Sequence, residues 1–420
     1  SKESAWANKN IVSFANENIV NRDKFLLDST RYAFSRSSTS LTIGTLSASD
    51  PVARVGNAQS GQGYTTLEDA VKNAADGQTI YILRGSMISR PIEINKDLAI
   101  VPYGGDYTLA VATDFVRTGY NNPAVFIIND GSLTLGNESG NRLIIDGNGT
   151  VSNGISLISV ISGSYTQNAM VTLRNCNTTA NGGAIFLNNA GASATIRGGI
   201  IENTIGAGGA IYVGNGASLT MTGGELQNNT DRDGNSYGIY LSNSQSVLTL
   251  NGAVSLSDDI YTEAVITVDN GFAVTEGQKI GIATRSDWRA GQPLVDGTKY
   301  VTSADMLESL LNAFELVNMG KDYSLVTQSS DTSKTLVLSK AVTYIFDYGY
   351  EDGAEQQNAV KPSYGDFDET IFDQLGQYNN GAFASRISTR GNRVVITVPW
   401  NSGTFDLSSL SLTNYATLTG

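Results

Sequence analysis

Gly182-Gly183-Ala184-Ile185-Phe186-Leu187, Gly208-Gly209-Ala210-Ile211-Tyr212-Val213 and Tyr237-Gly238-Ile239-Tyr240-Leu241 are three versions of one phrase. Their matching isoleucines, Ile185, Ile211 and Ile239, lie 26 and then 28 residues apart. A repeat of this length, made of short aliphatic runs, glycines and asparagines without helix-forming stretches, predicts a chain that coils into a β-solenoid.

Outward from that phrase the same punctuation continues on both sides. Aliphatic runs at 92–94, 98–101, 125–128, 133–135, 143–145, 155–161, 170–173, 194–196, 219–221 and 247–250 are each bounded by Gly, Asn, Asp or Ser, which is strand-and-turn grammar. Alternate residues such as Leu133 and Leu135 point inward together, with Thr134 outward. Coils about 4.8 Å apart would build a rod on the order of 40 to 50 Å long. Asn203 and Asn228, 25 residues apart, are read as a structural side-chain ladder at a turn, bonded along the rod axis. Cys176, the single cysteine, is read as filling a small interior slot.

Before the coils, Tyr64 to Ala74 predicts a short amphipathic helix capped by Thr65 or Thr66, with Leu67, Ala70, Val71 and Ala74 on one face. Asp76-Gly77 ends it. Past Asp258 the pattern loosens through 264–268, 272–274 and 279–283. A helical segment at 304–314 and strands at 323–327 and 335–339 follow, read as the closing cap of the rod. The expected organisation is an N-terminal arm over 1–50, helical or irregular apart from a strand at 41–46, a solenoid with end caps over 51–340, and a small β-rich domain over 341–420. That last domain is expected to be sandwich-like or grasp-like, with strands at 342–348, 383–387, 393–398 and 404–412.

Composition narrows function. Among 420 residues there are 40 acidic and 27 basic side chains, a net charge of -13 that disfavours nucleic acid and anionic membrane faces. Histidine is absent, which removes imidazole general bases, Ser-His-Asp and Cys-His systems and the commonest transition-metal ligand. No stretch reaches the roughly 18 apolar residues of a membrane span, and no basic, apolar leader opens the chain.

With Phe186-Leu187-Asn188-Asn189 beside them, the Gly-Gly-Ala-Ile coils resemble the repeats of polymorphic outer-membrane adhesins. The segment from Ala53 to Lys340 is more similar to the pectate-lyase-like right-handed parallel β-helix modules of bacterial surface proteins, especially those of gut Gram-positive bacteria. The opening Ala53-Arg54-Val55-Gly56, then 64–71 and 76–80, and the closing 259–261, 279–282 and 323–326 carry that likeness. The resemblance implies an all-β, right-handed parallel β-helix with short helical caps and a location at the bacterial cell surface. It covers about two-thirds of the chain. The membrane barrel and the Leu-Pro-any-Thr-Gly sorting signal of such relatives do not occur in the sequence.

Enzymes of the resembling fold are lyases, which need acidic Ca²⁺ ligands beside an Arg or Lys base, and hydrolases, whose His is missing here. Arg174 and Arg197 are placed by spacing on successive coils, with Asp130 and Asp146 on earlier ones, and nothing in the spacing sets carboxylate beside arginine. Asp231, Asp233 and Asn235 have the acidic spacing of a calcium loop, but its Gly comes two positions too early and no bidentate Glu follows at the expected distance, so the reading is a polar turn with Ca²⁺ as a weak candidate. Asp258 and Asp259 read as a turn. Trp6, Phe14, Tyr348, Tyr350 and Tyr364 are the candidate interface residues. The expected function is a non-catalytic, secreted structural or adhesive rod, self-associating through its arm and C-terminal domain into a layer or filament. Its partner would be a host or cell-wall glycan or protein. Alternatives are a polysaccharide-binding or lyase-type enzyme and a trimeric phage-like tail fibre.

Overall fold

Ile185, Ile211 and Ile239 are direct Cα partners in adjacent parallel strands, so the repeated phrase is one position on successive coils. The computed structural model describes residues 10–13, 32–36, 40–45, 50–117, 123–149, 154–275, 277–285, 291–319, 323–347, 387–390, 393–399 and 417–419. Among the described residues the protein is all-β with two helices, and its body is a parallel β-solenoid built from three ladders.

The first ladder stacks Ile92–Ile94, the leading halves of Ala124–Leu135 and Ser156–Gln167, then Ile185–Leu187, Ile211–Val213, Tyr237–Leu241, Asp259–Thr262, Ile280–Thr284 and Phe314–Leu316. The second stacks Asp97–Pro102, the trailing halves of the same two long strands, then Ala192–Ile196, Ser218–Met221, Val247–Leu250, Ile266–Val268 and Pro293–Asp296. The third has eight strands, from Ser86–Ile88 through Leu143–Asp146, Val171–Arg174, Ile200–Glu202 and Glu225–Gln227 to Ala273–Val274. From Ile92 to Val274 each coil passes once through each ladder, the two long strands serving the first and second ladders in turn. Eight coils span on the order of 40 Å at the strand spacing.

Alternation supplies the core. Leu98, Leu133, Leu219 and Leu248 occupy one inward column of the second ladder, and Ile185, Ile211, Ile239 and Ile260 one of the first, all buried. Tyr165 lies in the same second-ladder column, fully buried beside the small Ala194, so volume is conserved between coils. Its hydroxyl donates to Gln167 Oε1 at 3.2 Å, and Gln167 Nε2 donates to Gly198 O at 2.9 Å, which satisfies both buried polar groups.

Helix Leu67–Asn73 forms as expected: the Thr66 hydroxyl accepts from Asp69 N at 3.1 Å, and Leu67, Ala70 and Val71 are buried. Helix Ala304–Asn312 starts at Ser303, whose hydroxyl accepts from Met306 N, and buries Leu310. Phe314 already belongs to the next strand.

From Asp258 onward two expectations change. The stretch past Asp258 does not loosen. Asp259–Thr262, Ile266–Val268, Ala273–Val274 and Ile280–Thr284 extend all three ladders in parallel, because Ile260, Ile266 and Ile282 keep the inward positions. One strand, Lys334–Asp347, crosses the boundary expected at Lys340 and Ala341. It pairs antiparallel first with Pro293–Asp296 and Tyr323–Ser329, then with Arg393–Pro399 and Thr417–Thr419.

Within residues 1–49 the described pieces are Asn10–Ser13, Tyr32–Arg36 and Ser40–Thr45, an antiparallel sheet where a helix or irregular wrap was expected around Ile11 and Val12. The strand anticipated at 41–46 is present one residue earlier. The strand anticipated at 404–412 lies outside the described residues.

Cys176 is 1% exposed, donates to Ile155 O at 3.4 Å, and has its thiol pushed up to about 12 by burial. The native protein is therefore expected to resist iodoacetamide at mildly alkaline pH and to label stoichiometrically once denatured. Fast native labelling, read by mass spectrometry, would contradict a closed coil at this position.

Candidate functional site

The outward positions of the solenoid sort into columns, because in-register coils place equivalent residues one above another. In the first ladder the outward residues Phe186, Tyr212, Tyr240 and Tyr261 are successive Cα partners. Their rings stack with centroids 5.5, 5.7 and 4.3 Å apart and interplanar angles of 27°, 8° and 8°. Tyr237 joins from the side, 5.5 Å from Tyr261.

Gly208 and Gly209 make room for this strip. Both have positive φ, 70° and 79°, and a Cβ on Gly208 would sit 3.0 Å from the Tyr212 and Tyr240 rings. The ring faces are turned toward one another along the rod, so a partner meets edges and hydroxyls rather than open faces. Tyr240 and Tyr237 are both shifted toward the neutral phenol, first by burial. For Tyr240, neighbouring Tyr261 and Glu263 add to the shift, and for Tyr237, Asp231, Tyr261 and Asp259. The strip was legible in the opening phrase, where Phe186, Tyr212 and Tyr240 hold the same place between two aliphatic residues.

A second column closes the third ladder. Asp146, Arg174, Glu202 and Gln227 are successive partners on the outer surface. Arg174 Nε donates to Asp146 Oδ2 at 2.7 Å, and Gln227 Nε2 donates to Glu202 Oε2 at 2.9 Å. Spacing alone sets no carboxylate beside an arginine; stacking brings Asp146 and Arg174 together. Arg197 lies elsewhere, after the second ladder, in an exposed 3.6 Å pair with Glu138 that contributes little. Asp130 occupies a corner of the first long strand at φ 65°.

Immediately after that column the chain turns. Asn175, Asn203 and Asn228 stand at this corner with φ of 56°, 54° and 57°. The reading of Asn203 and Asn228 as a side-chain ladder needs correction: left-handed backbone places them there, and the axial bonds are main-chain, Asn175 N to Glu202 O and Asn203 N to Gln227 O, each 3.3 Å. Side-chain bonding runs one residue further on, inside. Asn229 is fully buried; its Oδ1 accepts from Thr204 N and Oγ1 at 3.0 and 2.8 Å, and its Nδ2 donates to Ile201 O at 2.9 Å and Asp258 Oδ2 at 2.6 Å. Asp258, read as a turn residue, is 3% exposed and also accepts from Ser236. Burial raises its carboxyl, against the lowering effect of the Asn229 and Ser236 bonds. Asp259 is raised as well, by burial and then by Asp258 and Glu315.

The Asp231, Asp233 and Asn235 loop closes on itself. Asp231 Oδ1 accepts from Asp233 N and Asn235 N at 2.9 and 2.8 Å, and Oδ2 accepts from Asn235 Nδ2 at 2.7 Å. Both oxygens of Asp231 are thus used by the turn, and no group of three or more acidic or thiol side chains is set for a metal among the described residues. Arg232 reaches across the surface to donate to Thr178 O at 2.9 Å, so the inserted turn clasps an earlier coil. Trp6, Phe14, Tyr348, Tyr350 and Tyr364 lie outside the described residues.

One cleft coincides with these features. About 470 Å³ in volume, it is lined by Asp146, Asn148, Gly149, Arg174, Asn175, Asn177, Asn203 and Ile205. Comparison with family models, curated proteins and solved structures returns no match.

Tyr240 stacks on two neighbours, so Tyr240→Ala is expected to cost about 1–3 kcal/mol from the two ring pairs, and Tyr240→Phe much less, measured by urea midpoints. Asp258 gives a pH signature. Its folded carboxyl holds a proton above the ordinary 3.8, so the native state binds more protons in the window from 3.8 up to the raised value, and stability falls as pH rises through it. Asp258→Asn removes that component. The stability of wild type minus that of the variant is expected to decline from acid toward neutrality, and a flat difference would overturn the assignment.

Proposed function

We propose that this protein is a non-catalytic, extracellular rod of the bacterial cell surface, acting as a rigid spacer with adhesive outer faces. On this reading the solenoid is a right-handed parallel β-helix, the hand favoured by parallel crossovers. Helix Leu67–Asn73 and the segment from Ala304 to Ser339 close its ends. The arm and C-terminal strands would link neighbouring subunits. The observation carrying the proposal is that three parallel ladders run together from Ile92 to Val274, the first continuing to Leu316, with the outer aromatic and polar columns used to hold coil to coil. Such a body resists bending, since each coil is bonded to both neighbours along its whole circumference.

The Asp146–Arg174 pair in a cleft favours a second reading, polysaccharide binding or lyase chemistry. Electron microscopy and mass photometry over a concentration series separate the readings when combined with a lyase assay on acidic glycans and Ca²⁺. The rod reading expects elongated particles that associate as concentration rises and no ultraviolet-absorbing unsaturated product. Strictly monomeric particles at high concentration would remove the assembly role, and accumulating product would replace the rod by an enzyme.

A further inference from the structure

We propose that the cleft between Asp146, Arg174 and Asn203 is a binding site for an uncharged saccharide unit, the contact through which the rod holds a neutral glycan. This deepens the adhesive half of the rod reading and rests on it.

Charge comes first. Asp146 is surrounded by donors: Arg174 Nε at 2.7 Å, Asn148 N at 2.7 Å, and Asn175 Nδ2 at 3.2 and 3.1 Å from its two oxygens. The carboxylate and guanidinium neutralise each other, so the cleft has no excess charge with which to hold a cation or an anion. The chain's net charge of -13 adds long-range repulsion against polyanionic glycans.

The lining then selects the ligand type. Asn177 and Asn203 offer whole carboxamides, Asn148 and Asn175 offer their oxygens while Nδ2 is engaged with Val111 O and Asp146, and a sugar hydroxyl is both donor and acceptor. Ile205 supplies the one aliphatic surface, against which the C–H face of a pyranose can rest. An apolar ligand would leave the carboxamides unpaired, at a cost of about 1–3 kcal/mol per group. The volume of about 470 Å³ lies within the range of small-ligand sites.

Preorganisation supports the same conclusion. Asn148, Asn175 and Asn203 are held at φ of 62°, 56° and 54° by corners of a stacked body, and Asn148 Nδ2 is anchored on Val111 O at 3.2 Å. Backbone freedom at these corners, and that of the Asn148 and Asn175 side chains, is already spent before binding. Neighbouring coils repeat at about 4.8 Å, comparable to the length of one pyranose ring, so stacked corners can follow a short stretch of glycan.

The left-handed backbone provides a clean test. Asn203→Gly removes a lining carboxamide yet keeps a residue suited to positive φ, so the coil should fold with unchanged melting temperature. Asn215→Gly makes the same change at another left-handed corner, φ 49°, outside the cleft. Full-length protein would be titrated with gluco-, manno-, galacto- and N-acetylglucosamine oligosaccharides, with oligogalacturonate alongside, by saturation-transfer NMR and calorimetry. We expect at least one neutral series to bind in the millimolar range or tighter, about tenfold weaker in Asn203→Gly, the equivalent of one lost hydrogen bond, and unchanged in Asn215→Gly. No binding by wild type, binding of oligogalacturonate alone, or equal loss in both variants would overturn the proposal. Particle shape and association are read separately, so failure of this site leaves the rod intact, and failure of the rod leaves the binding result standing.

Discussion

Axial register is the constraint on which everything else in this protein depends. In a stack of parallel coils, every main-chain donor and acceptor of a strand is satisfied by the coils above and below it. A residue therefore answers to its counterparts in neighbouring coils more than to its neighbours in sequence. Ile185, Ile211, Ile239 and Ile260 are one interior column, and Phe186, Tyr212, Tyr240 and Tyr261 are the exterior column beside it. A single-residue slip would exchange the two, placing rings in the core and isoleucines in water.

That same register gives each corner its own chemistry. The turn after the third ladder needs a left-handed residue, which Asn175, Asn203 and Asn228 provide. The next position faces inward, and across successive coils it holds Cys176, Thr204 and Asn229, with Asp258 stacked beyond. This buried column becomes more polar along the rod, and its polar members are bonded in series, Thr204 to Asn229 and Asn229 to Asp258. Asp258 remains a costly group, held above its ordinary proton affinity by burial even with these partners.

On the outside, stacking converts side chains suited to binding into structural ones and creates a binding surface elsewhere. The aromatic rings turn their faces to one another, which stiffens the rod and withdraws those faces from a partner. The neutralised Asp146–Arg174 pair and the corner asparagines instead line a cleft whose polar groups stand toward solvent. Inserted turns follow the same logic: the Asp231 to Asn235 loop spends its carboxylate on its own amides while Arg232 fastens it to Thr178 two coils back.

The solenoid, its repeat and its interior are written in the chain's own residues, because period-two alternation and a recurring phrase are local properties that survive without knowledge of contacts. So is the helix after Thr66, where capping and apolar spacing are written within ten residues. Only the tertiary structure decided which outward residues meet. Coils differ in length, 26 residues in one interval and 28 in the next, so partners such as Asp146 and Arg174 or Asn229 and Asp258 are aligned by strand register and not by any constant spacing. For the same reason Asp258 reads as a turn in the sequence and is buried against Asn229 in the fold. The continuous strand from Lys334 to Asp347 likewise hid behind a change in composition, since hydrogen bonding to two different sets of partners leaves no mark in the strand's own residues.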